Sequence, residues 1–303
     1  MPLRADNERI KPILELEIRR GDVVFLDLDR TTIQSDNLSK FAYNQLRNQY
    51  DPKNASNQDE YDENLDILAK IHEIQDKERD NKGNAYEYLK LLHDAGAEFD
   101  PVQLAKQVVD SNRDEYFRVR PEFIKTILND GATELIHLIQ QKGGDVVFMT
   151  AGDELTQRFK IEIVQQLLAE IEIEVAGWII TQEKKVSKTT IIDSLYDVDA
   201  ERYVFEEALL GQNQKVIASS FSPRLKDADF DRATLLDDKL KHLSGAREIA
   251  KSLDIVWQEQ GRALRQTRHY RTILMYAAGR KSDGLPRATI PDVIDAIEAR
   301  KAA

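Results

Sequence analysis

Three short apolar runs, each closing on a polar tip, constrain this chain most. Val23-Val24-Phe25-Leu26 ends at Asp27, Val146-Val147-Phe148-Met149 ends at Thr150, and Ala233-Thr234-Leu235-Leu236 ends at Asp237-Asp238. Continuous apolar runs of this length read as buried strands rather than half-exposed ones. The stretches between them carry helical spacing, so strand and helix alternate. That alternation predicts an α/β fold with a parallel sheet. In such a sheet the tips share one edge, and ligands of open α/β sheets sit outside the carboxyl ends of the strands.

The tips are chemically specific. In Asp27-Leu28-Asp29-Arg30-Thr31-Thr32 two carboxylates lie two residues apart where the backbone turns, so both can converge on one ion and one phosphate. At the second tip, the Thr150 hydroxyl and the N–H groups of Ala151 and Gly152 precede a helix expected from about Glu154, a setting suited to phosphate oxygens. Gly152 permits close approach and Asp153 can cap the helix. Ser187 reads as the N-cap of another helix with Ile191, Ile192 and Leu195 on its apolar face. That places Lys188 in a first helical turn, against the macrodipole, where a cation can hold a phosphate and neutralise a carboxylate. Lys184, Lys185 and Lys215 are alternatives for the same task. Asp237 and Asp238 repel one another unless a cation lies between them; otherwise they read as a solvated turn.

Taken in order, the four segments resemble motifs I to IV of the haloacid dehalogenase-like (HAD) phosphohydrolase superfamily. The resemblance spans residues 27 to 238 and covers nearly the whole chain outside the inserted segments. It implies a Rossmann-like parallel sheet core flanked by helices (residues 1–35 and 121–303). It also implies an inserted all-α cap domain of the family's first type (36–120), and leaves 199–232 as an insertion without an assigned role. The implied activity is that of a Mg²⁺-dependent phosphatase acting on a small phosphorylated metabolite through an aspartyl-phosphate. In that scheme Asp27 is the nucleophile and Asp29 the acid, then the base. Thr150, Ala151, Gly152 and Lys188 hold the phosphoryl oxygens. Mg²⁺ is bound by the Asp27 carboxylate, the Asp29 backbone carbonyl and Asp238, with Asp237 assisting. Retention of Asp29 argues against the dehalogenase branch. One departure is His242, where many relatives carry an acid; imidazole suits hard Mg²⁺ poorly, so His242 reads as a helix-surface residue. The alternatives are phosphotransfer or phosphomutase chemistry on the same scaffold, and a noncatalytic binding protein that keeps it.

Composition narrows the partners. Among 303 residues, 43 Lys and Arg face 54 Asp and Glu, and a net charge of −11 disfavours nonspecific binding to nucleic acid or anionic membranes. No cysteine is present, which excludes disulfides, thiol nucleophiles and zinc–thiolate sites. The N-terminus lacks the apolar core of a signal peptide, and no stretch approaches the roughly 18 apolar residues of a membrane span. A cytoplasmic location is therefore the expectation, and the oligomeric state stays open.

Further elements follow from spacing. Leu65, Leu68, Ile71 and Ile74 predict a helix, as does Ala85 to His93, stopped at Gly96. Asp100-Pro101 opens a helix with Leu104, Val108 and Val109 on its apolar side, and others begin at Pro121 and after Gly131. A helix from Glu154 to Leu168 precedes strand-like Ile171, Ile173, Val175 and Trp178 to Ile180. Asp51 to Glu60 reads as an exposed loop, Val216-Ile217 as a short strand, Ser244 to Leu253 as a helix, Ile255 to Trp257 as a strand and Pro291 to Ala299 as a helix. Arg118 and Arg120 are candidate substrate contacts, whereas Arg262, Arg265, Arg268, His269 and Arg271 read as a solvated basic face.

Overall fold

Each apolar run ending on a polar tip forms a strand in the computed structural model. It describes residues 16–79, 87–116, 118–181, 187–205, 216–218, 221–227, 230–239, 264–266, 270–275 and 287–299. The strands are β1 Asp22–Leu26, β2 Asp145–Ala151, β3 Gly177–Thr181, β4 Tyr196–Asp197, β5 Arg202–Tyr203, β6 Val216–Ala218, β7 Arg232–Asp237, β8 Leu264–Gln266 and β9 Tyr270–Leu274. Seven of them make one sheet in the order β6-β3-β2-β1-β7-β9-β8. The five inner strands are mutually parallel, whereas the edge strands β6 and β8 pair antiparallel. The expectation of unbroken βαβ alternation is corrected at those edges: an antiparallel neighbour needs no crossover helix.

The central strands are buried on both faces, as continuous apolar runs require. Successive residues feed opposite cores. Val24, Leu26, Val146 and Phe148 join Leu135, Ile139, Phe159 and Val164 on one side. Val23, Phe25, Val147 and Met149 join Ile191, Ile192, Phe205, Phe221 and Phe230 on the other. The segment 199–232 thus supplies the edge strand β6 and much of the aromatic packing of the second face.

The helices are α1 Ser35–Gln49, α2 Gln58–Arg79, α3 Tyr88–Asp94, α4 Pro101–Asp110, α5 Pro121–Ile127, α6 Ala132–Gln141, α7 Glu154–Ala169 and α8 Lys188–Ser194; a short helix Pro223–Asp227 precedes β7, and a helix Ile290–Ala299 closes the described chain. Local chemistry sets several starts. The Asp100 carboxylate accepts from the Gln103 N–H at 2.8 Å with Pro101 in the first turn, Asp153 caps α7 through the Thr156 N–H, and Ser187 caps α8 through the Thr189 N–H. α1 to α4, inserted between β1 and α5, pack against one another and dock on α7 through α3 and α4. The Leu89 N–H donates to the Thr156 hydroxyl across that contact, at 3.3 Å.

Several expected boundaries move. Ile171 to Val175 is not a strand: α7 runs to Ala169, Glu172 turns the chain at φ 59°, and β3 begins only at Gly177. Leu65 is exposed, whereas Leu68, Ile71 and Ile74 pack on the core as expected, joined by Asn64 and Ile67. The loop from Asp51 is short, because Pro52–Asn54 forms a 3₁₀ turn and α2 starts at Gln58. Arg271 is not part of a solvated face but lies buried on β9. His242, Lys184, Lys185, Lys215, Arg262, Arg268, His269, the helix expected at 244–253 and the strand at 255–257 fall outside the described residues.

Candidate active site

Parallel pairing brings the tips together. Leu26 pairs with Phe148 and with Leu236, so Asp27, Thr150 and Asp237 emerge at one edge. Past Leu26 the chain folds tightly: the Asp27 N–H donates to the Leu236 carbonyl, and the N–H groups of Thr32 and Ile33 return to the Leu28 carbonyl. Arg30 closes this turn at φ 66°, a left-handed conformation that costs a residue with a Cβ roughly 1–2 kcal/mol. Asn129 braces the turn from behind, its amide donating to the carbonyls of Arg30 and Thr31.

Lys188 sits at the centre of the acidic cluster. It is fully buried, ion-paired with Asp27 and, at 2.7 Å, with Asp237. Asp27, Asp237 and Asp238 are buried and offer carboxylate oxygens all within 4.8 Å of one another. Burial and the neighbouring Asp237 push the Asp27 carboxyl up to about 8, against the pull of Lys188 and Lys239. Lys188 is raised, because its two carboxylates outweigh the burial that opposes its charge.

Asp29 lies in a second buried ion pair that the motifs do not reveal. Its carboxylate accepts from Lys160 Nζ at 2.8 Å, from the Ser35 hydroxyl at 2.5 Å and from the Gln157 amide at 3.4 Å. Burial opposes its charge, but Lys160 and these hydrogen bonds prevail and hold it below the ordinary carboxylate range. Gln157 and Lys160 stand three apart on α7, one face of the helix. The available signal was a lysine inside an apolar helical stretch, between Phe159 and Ile161.

The phosphate-binding expectations divide. Lys188 lies against the Asp27 and Asp237 carboxylates. Thr150 is buried at the edge, but its hydroxyl donates to Gln157 Oε1 at 2.8 Å. The Gly152 N–H donates to the Thr181 carbonyl at 3.1 Å and so faces the neighbouring strand here. The glycine serves Gln157, whose amide nitrogen would lie 2.6 Å from a Cβ there. Ala151 is half-buried at the end of β2. Arg118 and Arg120 are exposed beside the start of α5.

No family model matches the chain, and no curated protein matches it. Solved structures that it resembles are described as haloacid dehalogenase-like hydrolases. One, a candidate hydrolase of that type from Burkholderia xenovorans, is 14% identical over 94% of this chain and 99% of its own, at a TM-score of 0.40. A candidate HAD-hydrolase from Bacillus subtilis, bound to magnesium, is 14% identical over 92% and 99%, at 0.33. A candidate β-phosphoglucomutase from Thermotoga maritima is 12% identical over 93% and 99%, at 0.36. Likeness this loose decides no chemistry; the strand order and the carboxylate cluster stand on their own.

The cluster suits a hard divalent cation. Its donors are carboxylate oxygens, the preferred ligands of Mg²⁺. Among the described residues four buried acids, Asp27, Asp29, Asp237 and Asp238, face two buried ammonium groups, Lys160 and Lys188. The acids still lead when half-buried Lys239 is included. Excess buried negative charge is costly unless a cation offsets it or a carboxyl keeps its proton, as the raised Asp27 does near neutral pH.

Proposed function

We propose that this chain is a Mg²⁺-dependent phosphatase of the haloacid dehalogenase-like type, hydrolysing a small phosphomonoester through an aspartyl-phosphate on Asp27. The observation that carries the reading is the convergence of Asp27, Asp237 and Asp238 around Lys188 at the carboxyl edge of a parallel sheet. The Asp27 carboxylate attacks phosphorus in line, and the phosphoryl group passes first to Asp27 and then to water. Asp27, Asp238 and the Asp29 carbonyl, with Asp237 assisting, would hold Mg²⁺, which would supply charge neutralisation for the dianionic ester. Lys188 offsets repulsion between nucleophile and phosphate, and the Thr150 hydroxyl turns from Gln157 to a phosphoryl oxygen.

Asp29 is assigned the proton of the leaving oxygen and then of the attacking water; as the acid it must first take up a proton against the pull of Lys160, which holds it below the ordinary carboxylate range in the free protein. Lys160, Gln157 and Ser35 fix its orientation. The helices α1 to α4, docked on α7 through α3 and α4, are assigned the role of a cap that would exclude water during transfer.

The test is phosphate release from a panel of small phosphomonoesters, with and without Mg²⁺. Turnover is expected only with the metal. Asp27→Asn, nearly isosteric but a poor nucleophile, is expected to lose on the order of 10⁴-fold or more. Release that survives chelation, or survives in Asp27→Asn, refutes the assignment.

A further inference from the structure

A cavity of about 630 Å³ adjoins the catalytic turn, lined by Arg30, Thr31, Ser35, Asp36, Asn129 and Thr289 among others. Only one side chain separates it from each catalytic acid. Thr31 donates its hydroxyl to Asp27 Oδ2 at 3.3 Å, and Ser35 donates to Asp29 Oδ1. A phosphoryl group on Asp27 with its leaving oxygen at Asp29 is therefore next to this space.

Arg30 is the unexplained residue of that wall. It occupies a left-handed backbone position where glycine would be unstrained, so an arginine is retained against a local cost. Nothing in the fold repays it: among the described residues its guanidinium makes no hydrogen bond, and its carboxylate neighbour, exposed Asp36, lies 4.0 Å away. Two helix starts border the same cavity. α1, fifteen residues long, begins there with no side-chain cap from Gln34, whereas the ten-residue helix Ile290–Ala299 is capped by Thr289 and Asp292. The start of α1 thus places a positive dipole end toward the space that Arg30 faces, with exposed Asp36 in its first turn. Exposed Asp36 and Asp130 are the acids of the lining, and they suit hydroxyl or ammonium donors of the same ligand.

We propose that this cavity receives the leaving group of the phosphomonoester and that Arg30 pairs with a second anionic group on it, so that the substrate carries a carboxylate or a further phosphate beyond the scissile one. The proposal rests on the phosphatase reading of the same site.

The experiment measures binding calorimetrically to Asp27→Asn with Mg²⁺, using three probes: phosphoglycolate, propane-1,3-diyl bisphosphate and ethyl phosphate. At least one of the two doubly anionic probes is expected to bind about tenfold or more tighter than ethyl phosphate, the worth of a charge-assisted pair. Which of the two leads identifies the second group. Adding Arg30→Gly, which suits the left-handed turn, is expected to erase that ratio, and Arg30→Lys to restore part of it. Equal binding of all three probes, or a loss in Arg30→Gly that falls equally on all three, overturns the proposal. Because binding is read on an inactive variant, a wild type that hydrolyses no ester refutes the phosphatase reading alone.

Discussion

Strand β1 has a buried carboxylate at each end, and the two ends have opposite charge balances. At its start, Asp22 accepts two 2.6 Å hydrogen bonds from the Arg232 guanidinium and lies 3.5 Å from Arg271. Arg271 is itself held by the Glu17 carbonyl and the Thr234 hydroxyl. Glu17, Asp22 and Asp231 meet Arg19, Arg232 and Arg271, one acid for each base. Past the other end, buried acids outnumber buried bases. The cluster at the start balances its charges as folded, with Arg232 bidentate on Asp22. An acid-rich cluster bridged by lysine keeps charge that a proton on Asp27 or a bound cation would offset. Charge balance, rather than burial, separates the structural end from the functional one.

Reciprocal substitutions test the contrast most strongly. Asp27→Asn is expected to abolish turnover while the melting temperature holds or rises, because one carboxylate leaves an acid-rich cluster. Lys160→Met is expected to lower stability by about 3 kcal/mol, since it strands buried Asp29. Thermal or urea unfolding reads that loss, and unchanged stability would show that Asp29 needs no cation. Mg²⁺ at about 100 times its dissociation constant is expected to stabilise the wild type by about 2.7 kcal/mol. Asp238→Asn should shrink this shift and Asp22→Asn should leave it whole; an equal shift in both variants would mean that the ion binds elsewhere.

Asp22→Asn is expected to cost about 2 kcal/mol, below the cost of breaking a fully buried pair because Arg232 keeps partial contact with water. Its turnover below the melting transition should match the wild type. A drop in turnover there would join the two ends and break the contrast. The smallest effect belongs to Arg19→Ala: its pair with Asp231 is half-exposed on both sides, so unfolding should shift by at most about 0.5 kcal/mol.

What the sequence determined was the set of strand tips. Apolar runs ending on Asp27, Thr150 and Asp237 specify buried parallel strands, and their shared edge follows from topology; Ser187 before Lys188 and Asp100 before Pro101 were readable because caps are local chemistry. What only the tertiary structure decided is who meets whom across long separations. Lys160 looks like any helical lysine until α7 turns it onto Asp29, 131 residues away. The Gly152 amide looks free until β3 supplies the Thr181 carbonyl. Arg271 looks solvated until β9 aligns it with Asp22. Periodicity and caps are properties of neighbouring residues, whereas ion pairing depends on packed distances that no local pattern encodes.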